Sequence, residues 1–342
     1  MNSKLDFEGV RLPVSAEKAL AVMTGILTGL GCDGRVADAI AEHLADTSLC
    51  GVESHGVMRI LQYARQFRSG YMSAGGEARV KKRDGQFLTI DGGGGHGIPA
   101  MQLAFDTAIE AAVDKGMSVT SITNLGHTGR HGAFAELAAE AGMLSLVIGG
   151  GNRAVWRQVA PHGGAEAKLP TNPWCLGLPG GGDGPFVLDF ATSTVAGGWI
   201  YAAESAGAHL PEGCLIDASG YTTTDPKAYF EGGAILPAAG QKGYALALAA
   251  ELIAEALIGP VATEANWLLI MVDTTRMTCG HTLQERAEVI LADMRSCPPA
   301  PGFDQVEVPG ERERRIREEA DGVIHIPEKT WTDVLALRDE LA

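Results

Sequence analysis

Nothing constrains this chain more than a glycine cluster set between a strand-like and a helix-like segment. In DGGGGHGIPAMQLAFDTAIEAAVDKG (91–116), Gly92, Gly94 and Gly97 fit G-x-G-x-x-G; QFLTID precedes them and an apolar run of helical period follows. A Rossmann unit uses such a turn to hold a pyrophosphate and places an acid about 20 residues on, at the end of the next strand, for the ribose. Here the next strand, SVTSITN, ends in Asn124, while Asp106 and Asp114 belong to the helix. The cluster matches by density of glycine rather than by arrangement. It predicts a strand-to-helix turn in a non-Rossmann sheet, its glycines permitting tight backbone.

The flanking pattern sets the architecture. Residues 1 to 75 read as helical: Ser15 caps a first helix that Gly31 stops, VADAIAEHLADTSLC forms a second, and a third starts near SHGV and runs to Gly70. From 80 to 150, FLTI, SVTSIT and MLSLVIG read as strands between helices PAMQLAFDTAIEAAV and AFAELAAEAG, an α/β layered pattern. WCLGL and PFVLDF, joined by GGGDG, predict an antiparallel hairpin. A helix is expected from Ser193 to Ala206, a long buried helix over KGYALALAAELIAEALIG, a strand at NWLLIMVD and a solvated helix at GERERRIREE. TWTDVLALRDEL closes the chain as a helix, with Thr330 and Asp333 spaced as a capping box.

Composition narrows the function classes. A net charge of −15 argues against a broad nucleic-acid or anionic-membrane surface. The six cysteines (32, 50, 175, 214, 279, 297) show no CxxC, and read as buried or free thiols of a reducing compartment. The most apolar stretch, YALALAAELIAEALIGPVA, carries Glu251 and Glu255 and reads as a buried helix rather than a membrane span. The N-terminus shows no signal-peptide pattern, so a soluble cytoplasmic protein is expected.

Four stretches can carry chemistry. If a helix begins around Gly56 in GVESHGVMRILQY, then His55, Arg59 and Tyr63 line one face at i, i+4 and i+8, a way to hold a small carboxylate with Ser54 beside it; a plain surface helix with a capping serine fits as well. In NLGHTGRHGAFAE, His127 and His131 have chelating spacing, but Gly129 and Gly132 sit where the helix would form and no third ligand follows, so no metal is expected. A substrate-facing His127 competes there with a plain loop histidine. Asp189, an acid in the apolar strand FVLDFATS, needs a partner and can orient a histidine. A hydrolase triad is disfavoured: no G-x-S-x-G is present, and adjacent Ser54 and His55 diverge. Lys242, opening the long helix after a glycine, is a plausible phosphate partner.

In order along the chain, GVESHGVMRILQY, DGGGGHGIPAMQLAFDTAIEAA, GHTGRHGAFAELAAEAGM, PTNPWCLGLP, FVLDFATSTVAGG, DASGYTTTDPKAYFEGGAILPAAGQKGYALALAAELI, PGERE and GVIHIPEKTW resemble the malate/L-lactate dehydrogenase family of the second, non-Rossmann type. That family includes sulfolactate and ureidoglycolate dehydrogenases, diketogulonate reductase and piperideine/pyrroline-carboxylate reductase. SHGVxR, TNP and TTDP with KGY are specific in combination. The resemblance implies an enzyme using NAD or NADP to move a hydride to or from C2 of a small 2-oxo or 2-hydroxy acid, or to reduce a cyclic 2-imino acid. It implies a homodimer, and a layered α/β/α fold with a mixed sheet and a non-Rossmann nucleotide-binding domain. A helical domain formed by the termini (1–78 with 320–342) would stand beside the α/β region (79–319).

Carried over residue by residue, the resemblance gives His55 and His127 acid/base roles, Asp189 a supporting one, and Ser54 and Arg59 the substrate. It puts the nucleotide at Gly151, Asn152, Leu188, Phe190, Ala191, Ser193, Lys242, Gly310 and Glu311. Departures from the family pattern are GGGNRAVWRQ, where many members have a threonine–asparagine pair, Arg130 and His131 in HTGRH, and GCLID, which lacks a usual tryptophan. Which histidine donates the proton stays open. A non-catalytic sensor of an anionic metabolite is the competing expectation, and a metal-dependent hydrolase using His127 and His131 a third.

Overall fold

The computed structural model describes residues 9–277 and 282–341. The expectations for the first eight residues and for Cys279 lie outside them. A seven-stranded mixed sheet organises the chain. Its spatial order is Arg79–Asp84, Phe87–Asp91, Met117–Leu125, Ala265–Asp273, Met143–Gly151, Trp174–Leu178 and Phe186–Phe190. Only Phe87–Asp91 and Met117–Leu125 run parallel, joined by the helix Gly97–Lys115; every other neighbouring pair is antiparallel. This is not the arrangement of a doubly wound parallel sheet.

The central strand, ANWLLIMVD, is a nearly unbroken apolar run because both its faces are covered. Helix Gly97–Lys115 packs on one face, and the helical segment Gln241–Ile258 covers the other end of the same strand. Ile98, Met101, Phe105, Ala108 and Ala112 recur at helical spacing and are buried against the sheet. Burying a side chain such as Phe105 contributes roughly 1.5–3 kcal/mol.

The two termini meet. Arg11–Ser15 pairs antiparallel with Val323–Pro327, and helices Ala16–Gly29 and Glu328–Leu341 pack together. Ser15 caps the first helix as expected, its Oγ accepting from Lys18 N at 3.2 Å. One apolar core runs from Met23, Ile40 and Ile60 through Phe105, Ile122 and Leu269 to Trp331. A smaller core, with Val159, Leu169, Ile200 and Leu215, lies under a three-stranded sheet of Leu215–Ile216, Thr222–Thr223 and Ala234–Ile235.

Several local expectations need correction. The last helix starts at Glu328, so Thr330 lies inside it and Asp333 pairs with Lys329 at 2.8 Å instead of closing a capping box. The helix expected from Ser193 begins at Gly197; Ser193 Oγ donates to Val195 O, which holds the chain in a turn. The long helix is α-helical only to Glu251 and continues as a π-helix over Leu252–Ile258. There Asn266 Nδ2 donates to Ala254 O and Gly259 O, drawing carbonyls out of the regular ladder. GERERRIREE is helical but not simply solvated: Arg317 reaches Glu136 at 2.8 Å and Asp46 at 3.1 Å.

Candidate active site

The glycine cluster is a clamp on the loop that carries His127. Asp91 Oδ1 accepts from Gly93 N at 3.0 Å and from Asn124 Nδ2 at 2.8 Å, so the residue standing where a Rossmann acid would be serves the turn itself. Gly93 takes φ 64°, and a Cβ at Gly97 would lie 2.6 Å from His127 O. Two backbone bonds lock the contact, Gly126 N to Gly95 O at 2.9 Å and Gly97 N to His127 O at 3.1 Å. The cluster fixes the His127 loop by close backbone packing.

His127 meets the SHGVMR stretch across this contact. Tyr63 Oη lies 2.7 Å from His127 Nδ1, and Gly129 N donates to the same nitrogen at 3.1 Å. A backbone N–H can only donate, so Nδ1 is the bare nitrogen and neutral His127 carries its proton on Nε2. His55 stands opposite, ring centroids 5.5 Å apart, with Nδ1 2.9 Å from Ser54 Oγ. Both histidines are half-open to solvent although protein surrounds them, as in the walls of a recess. Burial, then the Arg59 charge, holds both well below the usual histidine range.

The single helical face expected for His55, Arg59 and Tyr63 does not form. His55 ends a separate 3-10 turn, Glu53–His55, and the helix is Arg59–Arg68. Ser48 Oγ captures Val57 N at 2.9 Å, and Gly56 is extended, so no helix can start there. The three side chains still converge, through the turn rather than through helical spacing. Arg59 Nε donates to Ser54 O at 2.6 Å and its Nη1 to Gln62 Oε1. Among the described residues no carboxylate forms an ion pair with Arg59. The first turn of helix Gly197–Ala206, at Gly198, sits beside Ser54 and Arg59 Nη2.

Asp189 is placed differently from expectation. Its Oδ2 accepts from Gly132 N at 2.7 Å, and among the described residues it bonds to neither His55 nor His127. Surrounding protein pushes its carboxyl up from the usual range, opposed by the Gly132 N–H and by Arg130. Arg130 is buried, 3.2 Å from Asp46 and 3.4 Å from Glu136. His131 does not pair with His127: it bonds Thr128 Oγ1 at 2.7 Å and lies 4.2 Å from the Trp267 ring.

Of the residues assigned to a nucleotide, Gly151, Phe190, Ala191, Ser193 and Lys242 fall at one end of the sheet, while Gly310 and Glu311 lie toward its other end, by the hairpin that carries Asp183. Gly151 and Phe190 end their strands beside Ala265 and Trp174, and Thr192 N continues the pairing to Thr171 O. A Cβ on Gly243 would lie 2.6 Å from Thr192 O, so the helix headed by Lys242 abuts the Ala191–Ser193 segment. Lys242 is exposed, and among the described residues it has no ion-pair partner. Gly310 packs on Val187, one residue before Leu188, and Glu311 is engaged by Arg295 Nε at 2.6 Å. Asn152 Nδ2 donates to Thr263 O and its Oδ1 accepts from Ala154 N, so its side chain braces the loop. A free lysine and a closely packed glycine at a helix N-terminus suit a phosphate; the engaged Glu311 and Asn152 suit it less directly.

Sequence reasoning missed Glu264. This acid precedes the central strand, is joined to Gln66 Nε2 at 3.4 Å and to the Tyr71 hydroxyl, and feels the Arg59 charge. Burial lifts its carboxyl to about 7. The signal was present: like Asp189, Glu264 is an acid at the border of an apolar strand.

The malate/L-lactate dehydrogenase family model matches residues 14–335. The chain belongs to that family. It is 33% identical to an L-lactate dehydrogenase of Cupriavidus necator, over 96% of this chain and 98% of that one. It is 32% identical to a pyrroline-2-carboxylate/piperideine-2-carboxylate reductase of Pseudomonas putida, over 91% and 92% of the two chains. The solved sulfolactate dehydrogenase of Methanocaldococcus jannaschii superposes with a TM-score of 0.85 at 28% identity, covering 96% of this chain and 97% of that one. With this membership the protein is an oxidoreductase, and the resemblance drawn from SHGVMR, LDFATS and QKGY is borne out.

Proposed function

We propose that the site transfers a hydride between a nicotinamide cofactor, NAD or NADP, and C2 of a small 2-oxo or 2-hydroxy acid of malate, lactate or sulfolactate type. Cyclic 2-imino acids are the alternative substrate class, supported by the Pseudomonas putida relative. The observation that carries the reading is the meeting of Arg59, which forms no ion pair among the described residues, with two histidines held well below their usual range and facing each other at 5.5 Å.

Ala191–Ser193 and Lys242 would hold the nicotinamide cofactor, which would supply or accept the hydride. Arg59 takes the substrate carboxylate, helped by the N-terminal turn at Gly198. His127, its Nδ1 occupied by Tyr63 and Gly129, offers Nε2–H as a hydrogen bond to the oxygen on C2. His55 carries the proton. Its Nδ1 faces a hydroxyl that either donates or accepts, so Ser54 supports both the neutral and the charged ring. In oxidation neutral His55 takes the hydroxyl proton as the hydride leaves C2; in reduction the imidazolium returns it. The bound carboxylate offsets the Arg59 charge and makes that imidazolium accessible. Asp189 acts at one remove, fixing Gly132 at the end of the histidine loop.

A cytoplasmic homodimer fits the same reading. Its supports are four buried free thiols and the exposed Leu248, Leu252 and Leu257 on the segment after Lys242. No helix among the described residues is long and apolar enough to cross a membrane. The test is oxidation of NADH and NADPH with a panel of 2-oxo and cyclic 2-imino acids. Activity with at least one acid supports the proposal; no nicotinamide turnover with any of them overturns it.

A further inference from the structure

Gln66 continues the stripe of Arg59 and Tyr63 along one helix face, at i, i+4 and i+7. It is 9% exposed, yet its Oε1 has no hydrogen-bond partner. Its Nε2 donates to Glu264, whose half-buried carboxyl is also bonded by the Tyr71 hydroxyl. Trp156 Nε1 donates to that hydroxyl at 3.0 Å. Trp156 comes from GGGNRAVWRQ, the stretch that departs from the family pattern. The far end of the stripe therefore holds two neighbouring acceptors, the Gln66 carbonyl, closed off from solvent, and the half-buried Glu264 carboxyl. A buried acceptor without a donor costs about 1–3 kcal/mol, so a ligand that reaches them with N–H groups is favoured.

We propose that Gln66 and Glu264 form the specificity pocket for the substrate side chain. The pocket takes a 2-oxo acid whose far end carries a nitrogen donor, cationic or amide, in preference to one ending in an apolar or an anionic group. This rests on the hydride-transfer reading, with the carboxylate at Arg59. Seven residues of helix, about 10 Å of rise, separate Arg59 from Gln66, a span that an extended side chain of several bonds covers with the reach of the pocket side chains. Above about pH 7, where Glu264 is ionised, an anionic tail would meet its carboxylate and be rejected; an apolar tail would leave both acceptors unpaired.

The test compares kcat/KM for three 2-oxo acids ending in a guanidinium, an isopropyl group and a carboxylate, in the wild type and in Glu264→Gln and Gln66→Leu. The expected wild-type order puts the guanidinium acid first by at least about tenfold. Glu264→Gln is expected to lower kcat/KM for that acid by about tenfold or more, chiefly through KM, while the isopropyl acid changes less than about threefold and the carboxylate acid improves. A wild type that prefers the isopropyl or carboxylate acid overturns the pocket, whether or not the variants fold. Equal losses on all three acids in folded variants overturn it too, as a merely structural role. Absence of nicotinamide turnover with every acid instead overturns the hydride-transfer reading beneath it.

Discussion

Tyr63 and His127, 64 residues apart in the chain, share a hydrogen bond of 2.7 Å between Oη and Nδ1. It joins the helix that bears Arg59 to the loop clamped by the glycine cluster, so the proposed carboxylate holder and the proposed donor to the C2 oxygen have one fixed relation. Burial raises the phenol well above its ordinary range, so Tyr63 donates and does not ionise.

Tyr63→Phe removes one of the two donors to Nδ1 and leaves Gly129. We expect kcat to fall about tenfold, with KM changed less, because His127 is free to turn. Steady-state kinetics in both directions check this; an unchanged kcat would show that Gly129 alone orients the ring.

His55→Ala and His127→Ala separate the two roles. Loss of the proton carrier is expected to lower kcat by roughly 100- to 10,000-fold and to remove the pH dependence assigned to it. Loss of a hydrogen-bond donor to the oxygen is expected to cost roughly 100-fold and to leave the pH profile in place. Profiles of kcat/KM against pH decide between them, and the opposite pattern would exchange the assignments.

Arg59→Lys keeps the charge but loses the planar fork, and Arg59→Ala loses both. A strong rise in KM is expected for Arg59→Ala and a smaller one for Arg59→Lys. Arg59 also holds His55 and His127 low, so removing it should move the acid limb for hydroxy-acid oxidation toward higher pH. A limb that stays where it is in Arg59→Ala would show that burial alone sets these histidines.

Stability should fall in mild acid. His43, His96 and His131 are held down to about 3, chiefly by burial, against an ordinary value of 6.5. Their folded values lie below the unfolded one, so the unfolded chain binds more protons as pH drops below 6.5. The stabilisation is complete above that pH and is lost as pH falls toward 3. At pH 5 each histidine costs about 2 kcal/mol. Tm measured from pH 7.5 to 4.5 should drop steeply, and a flat curve would contradict the burial of neutral rings.

Gly97→Ala tests the clamp. The new methyl would collide with Gly126 O and lie 2.6 Å from His127 O. A loss of about 1–3 kcal/mol in stability is expected, with a fall in kcat beyond what the same loss produces elsewhere. Gly85→Ala, on a distant hairpin with open space around it, is the control, destabilising through its φ of 60° without touching the site.

What the sequence determined by itself was periodic or local. The alternating strands and helices from 87 to 151, the Ser15 cap and the WCLGL–PFVLDF hairpin follow from alternation, helical period and turn chemistry. The strand Arg11–Ser15 instead lies in a stretch that reads as helical, and forms only because Val323–Pro327 pairs with it. The non-Rossmann reading of the glycine cluster followed from a missing acid at Asn124. The candidate residues were legible as types: a histidine beside an arginine, a histidine after a strand, an acid in an apolar run.

Their relations came only with tertiary structure, because each depends on contacts between distant segments that no spacing encodes. Ser48 captures Val57 N and breaks the helix that would have aligned His55 with Arg59. Gly132 claims Asp189, and Tyr63 with Gly129 orients His127 instead. No spacing brings Glu264 to Gln66 and Tyr71; the sheet does. A side chain's type is a property of the chain; its partner and its protonation are properties of the packed interior.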